Sequence, residues 1–409
     1  MTLTLLLDLD GTLLSNSVQT FVPSYMKLLT AHVAPYVEPQ KFFDALMFAT
    51  QQMILNSDPE CLLVDVFEAN FYPRLRVTQD MFHEVVDQFY IDIFPQLKPL
   101  TEVRPEAVKL VNQAFSRNYR VAIATNPLFP LTAIEQRLAW AGLPRTEYPF
   151  SIVPSYESVH FAKPNPSFLA ELMARLGWPD EPAIMVGDEI DNDVRCAVDL
   201  GLPAYLVDGT LDSEDFIGDT YVSGGLEDLL NWVDAQPRDN LMPDFNSPSA
   251  LLAILRSTPA ALKSMSMQID HHLWAERQQP EEWCQTEIIC HLRDVESEVN
   301  LPRIIKVLDE VNPFIPGQDT DPWAEDRRYI NQNGPHALKD FIIARKRLLE
   351  LISLLPFEDW QRPARHAIFG PTNLQELLSI IAGHDRLHIH QLYTFINTIN
   401  RRADSAGKH

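Results

Sequence analysis

The chain begins with LTLLLDLDG (residues 3–11), an apolar run without alternation that stops on two aspartates and a glycine. A strand with one face in water alternates apolar and polar side chains, whereas a strand covered on both faces does not. The same pattern recurs in YRVAIATN (119–126), PAIMVGDE (182–189) and PAYLVD (203–208), with helical stretches between them. A parallel sheet buried between helix layers, an α/β fold, accommodates these four runs. Each run ends in polar residues, and in open parallel sheets ligands gather beyond the carboxyl ends of the strands.

Residues Ser15 to Lys98, between the first two runs, are aromatic-rich and lack strand-like alternation. FFDALMFATQQMIL (42–55) is representative. This insertion is expected to be a helical lobe over the strand ends. At 409 residues the chain exceeds the size at which one hydrophobic core stops growing. The break falls in AQPRDNLMPDFNSPSA (235–250), where three prolines and two asparagines carry turn chemistry. Beyond it, four long segments with helical spacing predict an all-α four-helix bundle: 250–269, 286–311, 336–355 and 373–399. Pro302 is expected to kink or break the second. The expected organisation is an α/β core (1–14 and 99–235), an inserted lobe (15–98), a linker (236–248), a bundle (249–400) and a disordered tail (401–409).

Charge narrows the partners. Residues 1–240 hold 15 Lys and Arg against 34 Asp and Glu, a balance of −19, and residues 241–409 hold 18 against 22, a balance of −4. Nucleic-acid binding draws its affinity from cationic contacts, so nucleic acid is not an expected partner. No apolar run reaches the ~18 to 20 residues that span a bilayer. The opening segment lacks the basic stretch of a signal peptide. A cytoplasmic protein without a membrane partner is expected. Cys61, Cys196, Cys284 and Cys290 form no CxxC pair and are expected to be reduced thiols.

Strand alternation places Asp8 and Asp10 on one side, and Gly11 permits a sharp turn. Two carboxylates so close share a proton or bind a cation. The hydroxyl of Thr125 and the amides around Asn126 suit phosphoryl oxygens, although such residues also cap helices. Lys163, in FAKPNP, would neutralise charge, and Asp188, in GDEIDND (187–193), is a hard oxygen ligand suited to Mg²⁺. In the second part, His384 and His388 lie four apart in GHDRLHIHQL and face one way on a helix. With His291, in TEIICHLRDVE, they could hold a metal with coordination positions open. Hydrogen-bonded or exposed histidines would fit the spacing as well.

DLDGT, Thr125, Lys163 and GDEIDND, in this order, resemble the four motifs of the haloacid dehalogenase superfamily over residues 1–235. The resemblance implies a Rossmann-like core, with the Ser15–Lys98 insertion as a helical cap. Asp8 would be the nucleophile that forms an aspartyl-phosphate, and Asp10 the general acid and base. Thr125, Asn126 and Lys163 would bind the phosphoryl group. Asp8, the Asp10 carbonyl and Asp188 would hold Mg²⁺, supported by Asn192 and Asp193. Displacing halide needs no proton donor, so Asp10 favours a phosphatase of a small phosphorylated metabolite over a dehalogenase. A phosphomutase or other phosphotransferase stays open, as does a non-catalytic binder of a phosphorylated ligand. Residues 249–397 are similar to the DinB-like bundles in EEWCQTEIICHLRDVE, DPWAEDRRYI and HDRLHIHQL. That similarity implies His291, His384 and His388 as ligands of Zn²⁺, Ni²⁺ or Fe²⁺. His271, His272, His336, His366 and His390 fall outside the pattern. The bundle is expected to be either a thiol or small-molecule transferase or hydrolase, or a metal-stabilised module that binds a partner or forms a homodimer.

Overall fold

The computed structural model describes residues 2–75, 77–209 and 221–406. They divide into two compact units, Met1–Leu169 with Asp180–Asp244, and Ala170–Pro179 with Phe245–His409.

The first unit contains β1 (Thr4–Leu7), β2 (Leu14–Asn16), β3 (Thr101–Val103), β4 (Arg120–Ile123), β5 (Ala183–Gly187), β6 (Ala204–Val207) and β7 (Tyr221–Gly224). Five of these make a parallel sheet in the order β4-β1-β5-β6-β7. Every residue of β1, β5 and β6 is buried, which accounts for their unalternating sequences. Burial of each such leucine or valine stabilises the fold by roughly 1.5–3 kcal/mol. No residue of the edge strand β7, YVSG, is buried, so it left no apolar run to recognise. β1 is flanked by β4 and β5: Leu7 stands level with Ile123 on one side and Val186 on the other. The next residues of the three chains therefore emerge side by side, and they carry Asp8, Thr125 and Asp188.

The insertion is helical, as its composition suggests. It comprises α1 (Val18–Val33), α2 (Pro39–Ile54), α3 (Leu63–Leu75) and α4 (Gln79–Gln88), followed by a π turn and a 3-10 turn. β2 and β3 pair antiparallel at its base, with Asn16 opposite Thr101. In α2 the buried residues Phe42, Ala45, Ala49 and Met53 recur at helical spacing. The Glu38 carboxylate accepts from Gln40 N, and Pro39 has the fixed φ suited to a first turn. The aromatic content forms its core: Phe42 lies 5.8 Å from Phe71, and Tyr25 lies 5.9 Å from Phe89, both edge-on. Such pairs add about 0.5–1.5 kcal/mol each beyond burial. Helices α5 (Pro105–Ser116), α6 (Leu131–Trp140), α7 (Pro166–Arg175), α8 (Cys196–Leu200) and α9 (Leu229–Ala235) complete the alternation with strands.

The second unit contains α10 (Pro248–Ser266), α11 (Gln285–Val295), α12 (Leu301–Asp309), α13 (Trp323–Asp326), α14 (Gly334–Ile352), α15 (Phe357–Trp360) and α16 (Leu374–Ala406). The four expected segments are α10, α11 with α12, α14 and α16. Pro302 does not break the second. It is the second residue of α12, and a π turn over Glu296–Asn300 joins α11 to α12. The wider turn accommodates a residue that has no N–H and whose ring crowds the preceding turn. Residues 401–406, expected as tail, continue α16, and the Arg402 guanidinium donates to the Gln278 side chain. Residues 407–409 lie outside the described residues. A small sheet, β10-β9-β8, formed by β8 (Phe314–Ile315), β9 (Pro363–His366) and β10 (Gly370–Asn373), was not expected, its strands being two to four residues long. The four cysteines are free thiols. Among the described residues no helix is long and apolar enough to cross a membrane.

Candidate active site and candidate metal centre

Asp8 follows β1 directly, and its amide donates to Val186 O at 2.9 Å. Lys163 is 1% exposed, and its ammonium donates to Asp8 Oδ1 at 2.8 Å and to Asp193. Burial opposes the lysine charge, but Asp193 and Asp8 more than offset it and hold the pKa above the ordinary value. Burial raises the Asp8 carboxyl well above the usual range, Lys163 opposes, and Asp193 adds to the rise. Asp188 is pushed up to about 6, chiefly by burial and then by Asp193. It accepts from Thr12 Oγ1 at 3.1 Å. Asp8, Asp188 and Asp193 each offer an oxygen, all within 4.8 Å of one another. Carboxylates crowded in a low-dielectric pocket are relieved by a cation, and their hard oxygens suit Mg²⁺.

Two glycines make this convergence possible. Gly11 has φ +76°, and a Cβ there would lie 2.1 Å from Asp188 Oδ2. A Cβ on Gly187 would lie 2.1 Å from Asp193 Oδ2.

The Asp10 carboxylate lies outside that trio. It accepts from Asn16 Nδ2 at 2.8 Å and from the Arg137 guanidinium. Arg137 is 2% exposed, stands 4.6 Å over the Phe129 ring, and has a second terminal nitrogen buried without a hydrogen-bond partner. Asp193, expected only in support, is one of the three converging carboxylates and also holds Lys163. Asn192, expected beside it, instead donates to the Glu189 carboxylate. Neighbouring positions of the π turn Ile190–Arg195 project in different directions, so only one of the pair faces the site. Thr125 is buried just beyond β4, where Ala124 N donates to Leu7 O at 2.7 Å. The side-chain oxygen of Asn126 is buried with no hydrogen-bond partner.

In the second unit α11 brings His291 to His384 and His388 of α16. The Nε2 atoms of His291 and His388 lie 3.1 and 3.0 Å from His384 Nε2. His388 Nδ1 lies 2.8 Å from Gln391 Oε1, so the ring donates there and turns an Nε2 lone pair inward. The Nδ1 atoms of His291 and His384 are buried and unpartnered. Burial, followed by the neighbouring histidines, lowers His291 to about 3; burial, His388 and Arg345 lower His384 to about 3. Burial lowers His388 as well. Three neutral imidazoles aiming nitrogens at one point suit a borderline divalent metal. A cavity of about 560 Å³ opens beside them, lined also by Trp283, Asp321 and Phe395. The Trp283 ring is parallel to His388, with centroids 5.8 Å apart.

A family model of the haloacid dehalogenase-like hydrolases matches residues 2–201, and one of the DinB superfamily matches residues 251–392. The first part of the chain is similar to the one family and the last part to the other. No curated protein matches it. Solved structures similar to it include a HAD phosphatase from Thermococcus onnurineus, at 21% identity and TM-score 0.36, covering 58% of this chain and 100% of the other. A 2-haloacid dehalogenase from Pseudomonas syringae pv. Tomato DC3000 has 17% identity and TM-score 0.39, covering 57% and 99%. YfiT from Bacillus subtilis, a four-helix bundle, has 18% identity and TM-score 0.35, covering 40% and 93%.

The haloacid dehalogenase-like unit contains two site groups that its motifs do not mark, Asn16 and Arg137. Arg137 lies in LTAIEQRLAW, where an arginine reads as an exposed helical residue. In the DinB-type unit the unmarked group is Arg345, which is 0% exposed and joins Glu296 and Asp385. Its Nε lies 2.5 Å from Glu296 Oε1, and its Nη2 lies 3.1 Å from Asp385 Oδ1. Asp385 directly follows His384. Gln391, three residues after His388, is on the same helical face, a spacing the sequence does contain.

Proposed function

We propose that the haloacid dehalogenase-like unit hydrolyses a small phosphomonoester through an aspartyl-phosphate on Asp8. The observation that carries this reading is Asp10, a second carboxylate held by Arg137 and Asn16 beside a buried, lysine-paired aspartate. An Asp8 oxygen attacks phosphorus, the ester P–O bond breaks, and protonated Asp10 gives its proton to the leaving oxygen. Asp10 then takes a proton from water, whose oxygen attacks the acyl phosphate. The bond to Asp8 breaks, phosphate leaves, and both carboxyl groups return to their starting states. Lys163 and Thr125 steady the transferring oxygens, and Asn126 orients them. Asp193 holds Lys163 in place. Asp8 and Asp188, with the Asp10 backbone carbonyl, are the residues that would hold Mg²⁺, and the ion would neutralise charge on the phosphoryl oxygens.

Purified protein is assayed for phosphate release from phosphorylated metabolites with and without Mg²⁺, beside Asp8→Asn. Mg²⁺-dependent release that Asp8→Asn abolishes while staying folded is the expected result. Near-normal turnover by that variant removes Asp8 from the nucleophile role.

For the DinB-type unit we propose a divalent Zn²⁺, Ni²⁺ or Fe²⁺ on His291, His384 and His388, with chemistry performed in the adjoining cavity. The open side of the histidine cluster supports a working site over a purely structural one, which would be closed. Metal content after purification, in the wild type and in His388→Ala, tests the ligand set. An unchanged stoichiometry in the variant would refute it.

A further inference from the structure

We propose that the phosphomonoester carries an apolar leaving group of aromatic size, received by a cavity within the helical insertion. This rests on the phosphohydrolase reading above. The cavity measures about 240 Å³, and its walls come from α1, α2, α3 and α4 and from Leu128, Phe129 and Pro130 of the segment after β4. That segment also carries Thr125 and Asn126. Phe129 is three steps along the chain from Asn126, so the cavity wall is at most about 11 Å of chain from the phosphoryl-binding residues. Phe129 also lies under the Arg137 guanidinium, and Arg137 holds Asp10. The group that would protonate the leaving oxygen is thus linked by contact to the cavity wall.

The chemistry of the walls selects the ligand. Phe67 and Phe71 line it as a stacked pair 4.7 Å apart, beside Leu29, Leu46 and Val86. Among the described residues no Lys, Arg or Asp lines it. Its Glu68 is 2.9 Å from its His83, so these two satisfy each other. Likewise the hydroxyls of Tyr25 and Tyr90 lie 2.8 Å apart and bond to one another. Thr50, Tyr72 and Tyr156 also line it, but these three hydroxyls are too few for a sugar or polyol, whose remaining hydroxyls would be unpaired at about 1–3 kcal/mol each, roughly 5- to 150-fold in affinity. An apolar group gains instead about fourfold in affinity per buried CH₂. A dry apolar cavity of ~150 Å³ admits benzene, so this one has room for a substituted ring.

The test compares two alkyl esters with similarly basic leaving oxygens, 3-phenylpropyl phosphate and glycerol 3-phosphate. It also measures calorimetric binding of 3-phenylpropanol to the full chain. A kcat/KM at least tenfold higher for the phenylpropyl ester, with measurable binding of the alcohol, is expected. Val86→Trp and Leu46→Trp, each checked by circular dichroism, should raise KM for that ester at least tenfold by filling the cavity. Phosphate release that favours glycerol 3-phosphate, with no binding of 3-phenylpropanol, overturns the subsite and leaves the phosphohydrolase reading intact. Binding of the alcohol without phosphate release from any ester overturns the phosphohydrolase reading instead. The binding measurement on the unsubstituted protein decides the matter even if neither tryptophan variant folds.

Discussion

Replacing Arg345 with methionine should destabilise the DinB-type unit more than any other single charge removal in it. The guanidinium is fully buried between Glu296 and Asp385, themselves 0% and 1% exposed, and also donates to Leu255 O at 3.0 Å. At an effective dielectric of about 20, a pair of unit charges 4 Å apart attract by about 4 kcal/mol. Two such attractions roughly balance the desolvation of the three groups, so the intact triad contributes little net stability. Removing only the cation is different, because two carboxylates then stay buried without a partner. Breaking a buried pair in this way costs about 3–5 kcal/mol. For a unit of this size each kcal/mol lowers Tm by about 2–4 °C, so a loss of roughly 6 to 20 °C in its transition is expected. Methionine keeps most of the volume, which confines the effect to charge. The assay is thermal and urea unfolding by circular dichroism, with the two units followed as separate transitions. Adding Glu296→Gln and Asp385→Asn should recover much of the loss. If Arg345→Met unfolds at the wild-type midpoint, or the triple variant is the least stable of the set, the reasoning fails.

Other consequences follow from the same geometry. Gly11→Ala would put a methyl group 2.1 Å from Asp188 Oδ2, forcing a shift of about 1 Å or more, so the proposed phosphomonoester turnover should fall about 100-fold while the protein stays folded. Unaltered kinetics would show that Asp188 is not needed where it stands. In metal-free protein, burial lowers His291 and His384 to about 3 from their ordinary 6.5. The unfolded state therefore binds more protons between these values, and the stability present above pH 6.5 is lost progressively as pH falls toward 3. Melting of chelator-treated protein at pH 7.5 and pH 5 checks this, and a higher Tm at pH 5 contradicts it. Arg137→Met should lower kcat more than KM, by at least tenfold, because it releases the carboxylate proposed as acid and base. A change confined to KM would assign Arg137 to substrate binding alone.

Much of this protein is legible in its order of residues because the signals are local. Short apolar runs such as TLLL and AIMVG, bounded by turn residues, read as strands covered on both faces, and helical spacing set the four long segments of the bundle. The glycine of GDEIDND is equally local, since a Cβ on Gly187 would collide with Asp193 in the same motif, whereas the carboxylate that a Cβ on Gly11 would meet, Asp188, comes from a distant part of the chain. The pair His384 and His388 is fixed by one turn of helix. Other features depend on residues distant in sequence, and no spacing reports them. β7 and the small sheet of the bundle are short and poorly buried, so pairing rather than hydrophobicity defines them. The π turn before Pro302 appears only where the helix must pass a residue without an N–H. Arg137 and Arg345 read as exposed helical arginines; burial against Asp10 in one case, and against Glu296 and Asp385 in the other, makes them part of a site. Register decided the rest, by setting Leu7 level with both Ile123 and Val186 so that Asp8, Thr125 and Asp188 emerge together. Local chemistry marked the candidate reacting residues, but packing alone determined which charges surround them, because a buried charge is shaped by neighbours far away in sequence.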